Sequence, residues 1–120
     1  MDWIFDNDRP IYVQLVEQLK IAIVSGIYTS GQKLPSVRDL AVEIKANPNT
    51  VQRALVELEN MGIIYTERTN GKFVTKEKAL LEKIKQEIAK ESYENFIQNM
   101  KKLGYTQKEI EEYVIKNKGE

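Results

Sequence analysis

Residues 34–64 read LPSVRDLAVEIKANPNTVQRALVELENMGII, and two short amphipathic periods inside this stretch decide the fold. In the first, Val37, Leu40, Ala41 and Ile44 recur at the i, i+3, i+4, i+7 spacing of one helix face. In the second, Val51, Ala54, Leu55, Leu58 and Met61 do the same. Each period opens with a start signal. Ser36 precedes Asp39 by three residues, a short capping box whose hydroxyl takes an orphan N–H at the helix start. Asn47 caps the second period, and Pro48 suits its first helical position because the N–H that proline lacks has no partner there anyway. Met61-Gly62 stops it, since glycine enters the left-handed region without a Cβ clash. Only Lys45-Ala46-Asn47 lies between the two helices, so the pair reads as a helix-turn-helix.

With positions 51, 54, 55 and 58 inward, the second helix turns Asn49, Thr50, Gln52 and Arg53 outward near its N-terminus. Amides, a hydroxyl and a guanidinium are the groups that pair with base edges and phosphates in a major groove. An ordinary solvated face carries Glu/Lys ladders instead, and here the acids Glu57 and Glu59 come only at the far end. That gradient suits a helix that meets double-stranded DNA with its N-terminus.

Composition removes most other function classes. The 120 residues hold no cysteine and no histidine, so disulfides, thiolates and the nucleophile–base pairs built on His or Cys are excluded. A transition-metal site would have to be all carboxylate, an unfavourable donor set. No metal, no cofactor and no enzymatic activity are therefore expected. There is no apolar run near ~18 residues and no signal peptide, so the chain is expected to be cytoplasmic and without a membrane partner. Formal net charge is zero: residues 1–75 hold 8 Lys/Arg against 9 Asp/Glu, and residues 76–120 hold 10 against 9. Any DNA-facing positive surface must then arise by local segregation of Arg38, Lys45, Arg53, Arg68 and Lys72. Near-neutrality keeps a second reading open, a winged-helix protein-interaction module without specific DNA reading.

Around this centre, residues 1–7 carry Trp3 and Phe5 and read as a small strand or an extended arm that tucks Trp3 against the core. Pro10 starts a helix whose apolar stripe is Tyr12, Leu15, Val16, Leu19, Ala22 and Ile23, ended by Ser25-Gly26. Gln14, Glu17, Gln18 and Lys20 fall on its solvent face, and Ile27 is placed to pack back on the stripe. Residues 29–32 are a turn by composition. Beyond Gly62, residues 63–66 and 72–75 are rich in β-branched and aromatic side chains around an Asn70-Gly71 turn, which predicts a hairpin. Arg68 and Gly71 at its tip are candidates for approach to the backbone or a minor groove.

The remainder is charged and strongly helical by propensity. Leu81, Ile84, Ile88, Phe96, Ile97, Met100 and Leu103 give a long helix an apolar face, with its phase interrupted around Ser92-Tyr93. Gly104 breaks the helix, and Thr106 with Glu109 forms a capping box for a last helix with Ile110, Tyr113 and Val114 inside. One long and one short helix cannot close a core alone. A second copy of the chain, packed through an isologous interface, is the economical partner; folding back on the winged domain is the other.

Pro35-Ser36-x-Arg38-x-Leu40-Ala41, then Asn47-Pro48-Asn49-Thr50-Val51-x-Arg53-Ala54-Leu55-x-Glu57-Leu58, then Gly62-Ile63-Ile64, resembles the winged-helix domain of the GntR family of bacterial transcription regulators. The resemblance covers roughly residues 9 to 75, and the family pattern usually has a second glycine where this chain has Thr69. The short tail resembles the YtrA-like subfamily, whose C-terminal segment has only two helices. The fold expected is mainly α with a small β-wing: a winged helix-turn-helix DNA-binding domain over 1–76, then a C-terminal two-helix dimerisation segment over 77–120. The resemblance implies a homodimer that represses transcription, often near transporter genes, and two-fold symmetry then predicts an inverted-repeat operator. Ser36, Arg38, Asn47, Asn49, Thr50, Gln52, Arg53, Arg68 and Gly71 are its expected DNA-binding residues, with Arg38 carried over from the family's Ser-x-Arg pattern. No residue constellation marks a small-molecule effector site.

Overall fold

The computed structural model describes residues 1–119; Glu120, the last residue of the expected tail, lies outside them. Five helices and one hairpin follow in order: α1 (Ile11–Val24), α2 (Val37–Ile44), α3 (Pro48–Asn60), β1 (Ile64–Glu67), β2 (Gly71–Val74), α4 (Lys78–Lys102) and α5 (Gln107–Lys116). The chain divides into two compact units, Met1–Ile84 and a second that starts at Lys85. No helix among the described residues is long and apolar enough to cross a membrane.

In the first unit α3 is the central element and packs on α1, α2 and β1. Its inner residues Val51, Ala54, Leu55 and Leu58 are wholly buried, as are Leu15 and Leu19 of α1 and Leu40 of α2. Removing each large side chain of this set from water contributes about 1.5–3 kcal/mol. The caps form where the sequence places them. Ser36 Oγ accepts the Asp39 N–H at 3.1 Å, and Asn47 Oδ1 accepts the Asn49 N–H at 2.7 Å. Between them Lys45 takes the left-handed conformation, φ 59°, that turns the chain within so short a link.

The hairpin pairs Ile64 with Val74 through Glu67 with Gly71. Gly71 is thus the first residue of β2 rather than part of the tip, and its φ of 103° closes the turn. The run before α2 is more than a turn. Leu34 N–H donates to Lys72 O at 2.8 Å, Val74 N–H to Gln32 O at 2.9 Å and Gly31 N–H to Val74 O at 3.0 Å, with Lys33 opposite Phe73. This segment lies along β2 like a third strand.

Other expectations are corrected as well. Gln14 is not on a solvent face: it is only 2 % exposed. Its Oε1 accepts Asp6 N–H at 2.9 Å, while Nε2 donates to Asp6 O at 3.0 Å and Arg9 O at 2.8 Å. Gln18 grips Ile4 in the same way, through both its backbone N–H and C=O. Residues 1–9 therefore form an arm laid along α1, extended but not a strand, with Trp3 half-buried, stacked on Phe5 and donating its indole N–H to the Glu43 carboxylate of α2. Ile27 is 54 % exposed, because Gly26 at φ 91° turns the chain away and it is the Ile27 amide that returns to Ala22 O. Met61 is 42 % exposed, being the C-cap past the last turn of α3. Lys72 is no free cation, as described below.

Candidate nucleic-acid interface

The outward side of α3 begins at its cap. Asn47 spends its side-chain oxygen on the Asn49 amide, so what it has left to offer a ligand is its NH₂ group. Asn49 and Gln52 are exposed, Thr50 half-exposed, and none of these three side chains makes a hydrogen bond among the described residues. An exposed amide with no internal partner keeps its full donor and acceptor set for a base edge. Ser36 is likewise a cap whose hydroxyl still has its proton to donate, and it sits at the start of α2, where the helix dipole favours an anion.

The cations fall into two groups. Arg38, on the exposed side of α2, has no ion pair or hydrogen bond among the described residues, and the same holds for Lys45 and for Arg68 at the hairpin tip. Lys72, expected to join them, is committed: its Nζ lies 3.1 Å from Glu59 Oε1 and 2.8 Å from Thr66 Oγ1. Thr66 Oγ1 also donates to Glu59 at 3.0 Å. The Lys72 hydrogen bond, seconded by Thr66, holds the Glu59 carboxyl below its ordinary range. Glu59, one of the two late acids of α3, is thereby paired, and so is the cation that was expected on the wing. Arg53 is exposed but engaged, its guanidinium 3.7 Å from the centre of the Tyr12 ring and its Nη2 donating to Tyr12 Oη at 3.0 Å.

Between the start of α2 and the hairpin runs a groove of about 430 Å³, whose walls include Lys33, Ser36, Arg68 and Gly71. The Lys33 side chain rests beside Gly71, with Cε 3.2 Å from where a Cβ would stand. Ser36, Arg68 and Gly71 thus share one surface feature. Two participants were not in the expected set. Lys33 is drawn in by the bridge to Phe73, and Tyr12 reaches the α3 surface instead of closing the apolar stripe. Only the odd placement of a polar-tipped aromatic at the first turn of α1 hinted at the latter.

In the second unit, α5 opens on a complete capping box. Thr106 Oγ1 accepts Glu109 N–H at 3.2 Å and Glu109 Oε1 accepts Thr106 N–H at 2.9 Å. An apolar cleft of about 340 Å³ is lined by Tyr93, Phe96, Ile97, Ile110, Val114 and Ile115. Of the residues expected to dimerise, Phe96, Leu103, Tyr113 and Val114 are exposed, Leu103 at 74 %. Leu81, Ile88 and Ile97 are half-buried, while Ile84, Met100 and Ile110 are already buried within the single chain.

A helix-turn-helix closed by a β-hairpin, with an open polar face on its second helix, defines the winged helix-turn-helix class. The chain belongs to the gntR family of bacterial regulatory proteins, whose family model matches residues 11–74. It is 40 % identical over 109 residues to the HTH-type transcriptional repressor YtrA of Bacillus subtilis, a match spanning 90 % of this chain and 84 % of YtrA. Among solved structures it resembles a GntR family transcriptional regulator from Listeria monocytogenes, with 46 % identity, a TM-score of 0.87, and coverage of 93 % of this chain and 98 % of that one. It also resembles AraR(DBD) in complex with operator ORX1, at 25 % identity and a TM-score of 0.56, over 60 % of this chain and 93 % of that chain.

Proposed function

We propose that this chain is a homodimeric transcriptional repressor that places α3 of each copy in successive major grooves of an inverted-repeat operator. That it is a DNA-binding transcription regulator, and not an enzyme, follows from its family; the dimer, the operator and the sign of regulation are the proposal. The observation that carries it is the polar face at the start of α3, whose Asn49, Thr50 and Gln52 side chains have no hydrogen-bond partner among the described residues, together with the exposed Arg38 and Arg68, which have none there either. Asn49, Thr50 and Gln52 read bases, Arg38 makes a guanidinium contact, and Ser36 with the groove beside it seats backbone phosphate. The exposed apolar side chains of α4 and α5 are the part of the chain that a second copy would cover, in a cytoplasmic assembly. The YtrA likeness adds the expectation of targets beside transporter genes.

Selection of duplex DNA by the purified protein tests this. An enriched inverted repeat with half-sites ~10 bp apart is expected, bound with an affinity that falls steeply with salt. Arg38→Ala should weaken it by about 1–3 kcal/mol. The second reading, a protein-interaction module, is favoured by the zero net charge, and gains only if no duplex is enriched and no salt-dependent binding is seen.

A further inference from the structure

Arg53 leaves α3 on its outward side but leans back on α1. Its guanidinium carbon stands 3.7 Å from the Tyr12 ring centre, and Nη2 donates to Tyr12 Oη at 3.0 Å. One aromatic side chain, 41 residues away in sequence, therefore holds an exposed cation at two points, through its ring and through its hydroxyl. We infer that Tyr12 is a positioning residue for DNA binding, holding Arg53 so that it grips one backbone phosphate and does not read a base. The inference rests on the DNA-binding reading above.

Donor accounting supports it. A guanidinium carries five N–H groups in a planar fork; Tyr12 Oη takes one, and its ring covers one face. The rest stay open in the plane, arranged for the bidentate geometry of a phosphate. Reading guanine O6 and N7 requires the fork to be carried to the floor of the major groove, edge-on to the base pair. A side chain drawn back against α1 stays at the rim of the interface, where the sugar-phosphate backbone runs. The Tyr12 hydroxyl accepts from Arg53, and its own proton has no acceptor among the described residues. That proton is a further donor for the same phosphate. Lysine at position 53 would keep the charge but lose the fork.

The test is a double-mutant cycle on the full chain, using the selected operator and an unrelated duplex across a salt series. Tyr12→Phe keeps the ring and removes the hydroxyl; it is expected to weaken both duplexes alike, by about two- to tenfold. Arg53→Gln is expected to weaken both alike and to lower the salt slope by about one. In the Arg53→Gln background the Tyr12→Phe change should then have little further effect, the mark of a residue that acts through another. Thermal melts should show both variants folded. The inference is overturned if Tyr12→Phe is silent, if its effect is undiminished in the Arg53→Gln background, or if Arg53→Gln spares the unrelated duplex. Wild-type protein that binds neither duplex would sink the DNA reading itself. Wild-type binding without coupling removes only the role given to Tyr12.

Discussion

Replacing Gln14 with leucine tests how the N-terminal arm is held. The side chain is buried and makes three hydrogen bonds to the arm backbone, two to Asp6 and one to Arg9. At about 0.5–1.5 kcal/mol each, they contribute about 1.5–4.5 kcal/mol. Asp6 and Arg9 are exposed, so water can replace part of what is lost, and the lower half of that range, about 2 kcal/mol, is the expected cost. Leucine fills much of the same volume, which keeps a cavity from adding to it. With a urea slope near 1–3 kcal/mol per molar, the unfolding midpoint should fall by about 1 M. Trp3 is the single tryptophan and sits in the arm, so its fluorescence reports the arm alone while far-UV circular dichroism reports the helices. In Gln14→Leu, acrylamide should quench Trp3 more strongly in native buffer, with helical content nearly unchanged. If quenching and midpoint both match wild type, Gln14 does not anchor the arm and the burial argument is wrong.

Two further outcomes bear on the elements that hold the interface. Ser36→Ala should cost about 1 kcal/mol through the lost cap of the eight-residue α2, and Ser36→Asp should recover most of it; thermal melts in which all three proteins coincide would refute this. Glu59 holds its proton less tightly in the native chain than unfolded, so the unfolded state binds more protons and stability rises with pH through that interval. The stability difference between wild type and Glu59→Gln should be level above the usual glutamate range, about 4.3, and shrink as pH falls through the depressed native value. A difference that is flat down to full acid would show that the Lys72 contact does not act on the carboxylate. Partial exposure of both side chains keeps this effect small and sensitive to salt.

What the sequence disclosed was the part governed by neighbours along the chain. The caps at Ser36, Asn47 and Thr106 are side chains bonding backbone two or three residues away, so spacing alone located them. The inner faces of α2 and α3 followed from period, and the hairpin from its β-branched and aromatic runs around Asn70-Gly71. Contacts between distant segments stayed hidden. Gln14 looked solvent-facing because a polar side chain on a helix is buried only when something polar is laid over it, and that cover is the arm at Asp6 and Arg9. Lys72 and Arg53 counted as free charges until the fold brought Glu59 to one and Tyr12 to the other. Residues 29–32 have the composition of a turn, and only the proximity of β2 gives that region ladder bonds.

That ladder makes the connector before α2 a segment with a register. Gly31, Gln32 and Leu34 alternate their backbone bonds to Val74 and Lys72, and Leu34 is buried while Lys33 is exposed. Side chains along such a run change faces at every step. A single residue inserted between Gly31 and Leu34 would send leucine to solvent and lysine toward the core, and would also displace Ser36 from the start of its helix. In a chain whose loops look interchangeable by composition, this is one whose length is not free to drift, because it spaces the wing from the helix-turn-helix like a ruler.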